Sequence, residues 1–169
     1  MPTLAPVQLL ASEEYGLRCL LQVARGHGGA PTAVPEIAAA EGLSLEYAAK
    51  LLRQLRLAGL VQSVRGAAGG YELSRAPEAI SVWSALEALG GEFFAGDFCD
   101  CHPGARRRCV RSGDCSLRAL WRRVQGALRD ALDGVSLADL TRDEQAMGAW
   151  LATRPSDAGL VQIQGGNRP

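Results

Sequence analysis

The stretch SLEYAAKLLRQLRLAGLVQSVRGAAGGYEL, residues 44–73, changes period halfway along, and that change decides the fold. Its first half is helical. Ser44 is an N-cap residue type, Leu45, Ala48, Leu52 and Leu55 recur on one face, and Gly59 stops the helix. The second half alternates. Val61-Gln62-Ser63-Val64 reads as a strand, Arg65 to Gly70 as a glycine-rich turn, and Tyr71-Glu72-Leu73 as the returning strand.

Two further helices precede this unit. Ser12 is placed to cap the first, with Glu13 and Glu14 in the first turn where the helix dipole favours negative charge. Leu17, Leu20, Leu21 and Ala24 give it an apolar face, and Gly26-His27-Gly28-Gly29 ends it. Pro35 opens a short second helix that runs to Glu41, and Gly42 closes it. Helix, helix, tight glycine link, helix and hairpin is the order of a winged helix-turn-helix, whose third helix enters the major groove. Downstream, the pattern predicts a short helix from Ser81 to Leu89, an irregular stretch from Gly90 to Ser116, and a long helix from about Leu117 to Asp133. Leu117, Leu120, Trp121, Val124, Leu128, Ala131 and Leu132 form the stripe of that long helix. Ser136 is placed to cap a further turn or two, and the chain after Arg154 reads as a loose tail. The expected fold class is mainly α with one small β-hairpin.

A recognition helix needs polar side chains over an apolar back. Ser44, Glu46, Tyr47, Lys50, Arg53 and Gln54 supply them, although an ordinary surface helix carries a similar face. The hairpin favours DNA. Arg65 suits a narrow minor groove, and Gly66, Gly69 and Gly70 leave the backbone free to approach phosphates. Residues 44–75 hold five basic and two acidic side chains.

The 169 residues are 47% hydrophobic and 21% charged, the composition of a chain that buries a core. No run is long enough to span a membrane and no secretory signal opens the chain, so a cytoplasmic protein without a membrane partner is expected. The 18 basic and 18 acidic groups balance overall but not locally. Residues 99–129 carry eight basic and two acidic groups, whereas both flanks are acidic.

That basic segment also holds Cys99, Cys101, Cys109 and Cys115. Without a secretory signal, clustered cysteines favour metal or redox chemistry over structural disulfides. Four thiolates near one point need a cation or cluster to offset their repulsion, and Arg106, Arg107, Arg108 and Arg111 would help. The uneven gaps suit a loop around an iron–sulfur cluster better than the paired knuckles of structural zinc, but zinc and a bare thiol switch both remain open on spacing alone. Cys19 reads as a buried apolar residue, His27 as exposed, and His102 as a bystander.

Together these parts resemble the Rrf2 family of winged-helix regulators, which includes the IscR-, NsrR- and RirA-type iron–sulfur repressors. The likeness covers about residues 8–142. It is carried by Glu14-Tyr15-Gly16-Leu17-Arg18, by Tyr47 to Val61, and by the Arg65-Gly66-Ala67-Ala68-Gly69-Gly70-Tyr71 wing. The cysteine segment running into Leu120-Trp121 completes it. The resemblance implies a homodimer built on the long helix. It also implies a palindromic double-stranded operator with half-sites roughly 34–36 Å apart. The expected DNA-contacting set is then Ser44, Tyr47, Lys50, Arg53 and Gln54 from the helix, with Arg65, Gly66, Gly69, Gly70 and Tyr71 from the wing.

The resemblance further implies a 2Fe–2S or 4Fe–4S cluster held by three loop cysteines. Cys101, Cys109 and Cys115 have the RirA-type spacing, and Cys99 is an extra thiol that competes with Cys101 for the first place. IscR-like members place a histidine three residues after the last cysteine, where this chain has Arg118. NsrR-like members take an acidic residue from helix one of the partner chain, and Glu14 matches that position. The expected organisation is a DNA-binding domain over 8–90, a cluster loop over 91–116, a dimerisation region over 117–142, and a flexible extension over 143–169. The expectation is a transcriptional regulator acting as a repressor, whose operator affinity an iron–sulfur cluster sets in response to nitric oxide, iron or redox state, and not an enzyme. The rivals are a zinc- or thiol-based regulator of the same fold and, from another class, a small iron–sulfur redox protein.

Overall fold

The computed structural model describes residues 11–66, 68–90, 109–111 and 113–154. Cys99, Cys101, His102 and Arg106 to Arg108 lie outside these residues, as does the tail after Arg154.

Helix α1 (Ala11–Arg25) buries Gly16, Cys19, Leu20, Val23 and Ala24, the spacing of one helical face. It already includes Ala11, so Ser12 stands inside the helix and not at its cap. Helix α2 (Val34–Glu41) has Pro35 in its first turn, and the Glu36 carboxylate accepts from the Ala33 amide at 3.2 Å. Gly42 closes α2 in the left-handed region (φ 65°), which glycine enters without a Cβ penalty. Helix α3 (Leu45–Leu57) starts at Ser44, whose Oγ accepts from the Tyr47 amide at 3.2 Å. Strands β1 (Val61–Val64) and β2 (Gly70–Leu73) pair antiparallel, Val61 opposite Leu73 and Val64 opposite Gly70.

One expectation about α3 changes. Leu45 is 53% exposed, and Leu51 takes a core place beside Ala48, Leu52 and Leu55. Leu45 sits in the first turn, about a fifth of a turn from the centre of the buried stripe at 3.6 residues per turn.

The wing has a support that local pattern does not reveal. Thr32, in the link between α1 and α2, bridges to Tyr71 through two backbone hydrogen bonds of 2.9 Å. This ties β2 to the helical body and holds the hairpin's free edge. Val61 and Leu73 then insert into a core formed with Leu20, Ile37, Leu51, Leu52, Leu55 and Ile80.

Helix α4 (Val82–Ala88) is capped by Ser81, whose Oγ accepts from the Ser84 amide at 3.1 Å. Helix α5 (Ser116–Asp133) follows the cysteine segment. The chain then returns beside α4. The Val82 amide donates to Val135 O and the Leu137 amide to Ile80 O, both at 2.8 Å. Ser136 helps form the next turn, a 3-10 turn at Asp139–Thr141. Beyond it a helix appears within the stretch expected to be a flexible extension. This is α6 (Glu144–Thr153), where Asp143 accepts from the Ala146 amide at 2.7 Å. Met147 and Trp150 of α6 pack against Val82, Leu86 and Val135, with Leu17 and Leu132 alongside. Arg142 and Arg154 lie over the Trp150 ring at 5.4 and 4.6 Å from its centre.

Candidate nucleic-acid interface

The polar face of α3 divides into engaged and open groups. Ser44 is spent on its cap. The Tyr47 ring is half-buried and meets Tyr15 of α1 edge-on, with 6.2 Å between ring centres and 78° between planes. Gln54 is partly buried, and its side-chain oxygen has no hydrogen-bond partner although solvent does not reach it. Lys50 and Arg53 are exposed. With Glu46 and Leu57 they occupy the pole of α3 opposite Leu51, Leu52 and Leu55, at positions i, i+4, i+7 and i+11. Leu57 is 66% exposed, a prominence the apolar-stripe reading did not single out.

In the wing, Arg65 and Gly66 are exposed at the turn, and Gly66 adopts φ 114° with open space where a Cβ would stand. Gly69 and Gly70 are only partly exposed. A Cβ on Gly70 would collide with the Thr32 carbonyl and lie 3.0 Å from the Ala33 nitrogen. Gly70 thus lets two backbones meet, independently of any phosphate. Tyr71 is half-buried, packs on the core, and shares its backbone groups with Thr32. Tyr15 and Thr32, the supports of Tyr47 and Tyr71, come from distant elements, and no spacing rule points to either.

The candidate metal ligands lie apart from this surface in sequence. Cys109 and Cys115 are unbonded, partly exposed thiols. Cys115 is the N-cap residue of α5, with extended backbone, and its carbonyl accepts from the Ala119 amide at 3.3 Å. Thiol sulfur is a soft donor of the kind that iron and zinc accept. Among the described residues, two such donors, Cys109 and Cys115, are present for a thiolate-held metal group. Among the described residues, no three metal-binding side chains converge. Glu14 is half-exposed and paired with Arg18 of its own chain at 2.7 Å, and that guanidinium lies 5.6 Å from the Tyr15 ring centre. Cys19 is fully buried, and burial, with Glu41 adding, pushes its thiol up to about 11. His27 is exposed in its glycine turn.

Helix α5 shows the largest mismatch between pattern and burial. Its apolar stripe forms on one face, yet none of its 18 residues is buried in the single chain. Leu117 is 59% and Leu120 50% exposed, with Trp121, Val124 and Leu128 partly open beside them. Among the described residues, no helix is long and apolar enough to cross a membrane.

The Rrf2 family model, described as an iron-dependent transcriptional regulator, matches residues 10–143. The HTH-type transcriptional regulator CymR of Bacillus subtilis is 35% identical over 126 residues, covering 75% of this chain and 83% of that protein. The HTH-type transcriptional regulator IscR of Aliivibrio salmonicida is 32% identical over 139 residues, covering 82% and 80%. The solved structure of the B. subtilis CymR, described as the global cysteine regulator, superposes with a TM-score of 0.64 at 32% identity, covering 80% of this chain and 98% of that one.

Proposed function

The chain belongs to the Rrf2 family of transcriptional regulators, and from that premise we propose a homodimer that binds a palindromic operator under the control of an iron–sulfur cluster. The observation that carries the DNA reading is the open cationic pole of α3, Lys50 and Arg53, standing over a packed back, with Arg65 exposed in the wing. Lys50, Arg53 and Arg65 supply phosphate and base-edge contacts. Ser44, Tyr47, Gln54, Gly69, Gly70 and Tyr71 hold the helix and wing in place beside them, and Gly66 leaves the wing tip slim.

The second protomer covers the stripe of α5. Fully burying one leucine contributes about 1.5–3 kcal/mol, so Leu117 and Leu120 with their neighbours give a substantial drive to associate. Cys101, Cys109 and Cys115 hold the cluster, Cys99 is the alternative first ligand, and Glu14 reaches across the dimer as an oxygen ligand. When bound, the cluster supplies a redox- and iron-sensitive centre. A Glu14 drawn to the neighbouring subunit leaves Arg18, and Arg18 lies on Tyr15, which abuts Tyr47 in α3. That chain of contacts would carry the ligation state toward the recognition helix.

A second reading keeps the fold and the DNA surface but senses through zinc or the thiols themselves. It is supported by the likeness to CymR and by the free thiols of Cys109 and Cys115. Anaerobic purification separates the two. A brown protein with visible absorption and matching iron and sulfide counts is expected; colourless, iron-free protein with normally regulated operator binding would leave only the thiol or zinc reading. Arg65→Ala should weaken operator binding by ~1–3 kcal/mol if that side chain reads a base edge. An unchanged gel shift would remove the wing from the interface.

A further inference from the structure

We infer that Glu46 determines sequence specificity, accepting a hydrogen bond from the exocyclic amino group of a cytosine in the major groove. The inference rests on the DNA-binding reading above and adds a base identity to it. Of the six polar side chains from Ser44 to Gln54, three are turned away from an outside partner: Ser44 as the cap, Tyr47 against Tyr15, and Gln54 with its oxygen closed to solvent. Glu46, Lys50 and Arg53 are exposed, and among the described residues none of the three makes an ion pair or side-chain hydrogen bond. They stand on the outward pole, with Glu46 in the first turn, the part of a recognition helix that reaches base edges.

Glu46 is the one acidic residue of α3. A carboxylate presented to DNA is repelled by phosphates and can only accept, so it is tolerated there where a donor meets it. In the major groove the base donors are the amino groups of cytosine and adenine. Adenine sets its N7 lone pair beside that amino group and repels the second carboxylate oxygen. Cytosine has a C–H there and does not. Lys50, one turn further along the same pole, lies within helical-pair spacing and keeps the carboxylate from being a net repulsive charge. The competing role for Glu46 is to complement the positive end of α3, which affects stability and not base preference.

Selection of bound duplexes from a randomised pool tests the inference. The full-length protein is used, once as purified anaerobically and once after iron chelation, in parallel with Glu46→Ala and Glu46→Gln. Thermal melts establish that both variants fold. The wild type should fix cytosine at one position in each half-site. Glu46→Ala should lose at least about fivefold of that preference while the other positions stay selected, and Glu46→Gln should move the position toward adenine, which glutamine contacts at N6 and N7. Identical base preferences for wild type and both variants would overturn the role of Glu46 and leave the DNA-binding reading standing. A wild type that enriches no sequence in either state would overturn both.

Discussion

Replacing Gly70 by alanine puts a methyl group against the backbone of Thr32. The added Cβ would collide with the Thr32 carbonyl oxygen, stand 2.6 Å from its carbon and 3.0 Å from the Ala33 nitrogen. These are backbone atoms and cannot rotate aside. Relief requires the two strands to separate, and that weakens the pair of 2.9 Å hydrogen bonds between Thr32 and Tyr71. Overpacking of this kind costs about 1–3 kcal/mol, and each lost hydrogen bond about 1 kcal/mol. A total of roughly 2–4 kcal/mol is a large share of a domain's stability and lowers the melting temperature by roughly 5–15 °C. Circular dichroism melts of Gly70→Ala and wild type measure this directly. Gly66→Ala is the control, because no atom lies within 4 Å of its added Cβ and only the strained φ of 114° is at stake. A Gly70→Ala protein that melts with wild type would refute the packing argument. If that same protein had lost DNA binding, the glycine would be there for the phosphate approach suggested by its sequence context.

Leu51→Ala should cost about 2–5 kcal/mol in urea unfolding, whereas Leu45→Ala should stay within about 0.5 kcal/mol, since Leu51 is fully buried and Leu45 is exposed. Leu120→Glu should convert the proposed homodimer to monomers in sedimentation velocity without unfolding them; an unshifted sedimentation coefficient would refute an interface on this stripe. Cys19 should resist alkylation at pH 8 in the folded protein and react once it is unfolded, as mass spectrometry can score, because its thiol is raised from 9.0 to about 11. Since the folded state holds that proton more tightly than the unfolded chain, Cys19 lowers stability progressively as pH climbs from about 9 toward 11.

Where the determinants are local, sequence and structure agree closely. Ser44, Gly42 and Gly59 mark the ends of their elements because capping and left-handed backbone are properties of a few adjacent residues. Val61–Val64 and its return strand are marked by alternation, and Cys19 by its place in an apolar run. The wing, the helix-turn-helix order and the family were legible for the same reason. The choice of Leu51 over Leu45 was not, because neighbouring leucines satisfy helical spacing equally well and only the packing partners distinguish them. Helix α6 has no clear apolar stripe in sequence, because Ala146, Gly148, Ala149 and Ala152 separate its few large side chains. Its order comes from Trp150 and Met147 packing on the cluster of Val82, Leu86 and Val135.

At the site, the sequence alone determined which side chains were available for chemistry: cations on α3, glycines and Arg65 in the wing, thiols ahead of α5, and Glu14 on α1. Only the tertiary structure decided how they are used, because burial and partnership depend on elements far apart in the chain. It set Tyr47 against Tyr15, bound Tyr71 to Thr32, and paired Glu14 with Arg18. It also left Glu46, Lys50 and Arg53 facing outward and the stripe of α5 uncovered, since a helix face is closed or open only when its neighbours are in place.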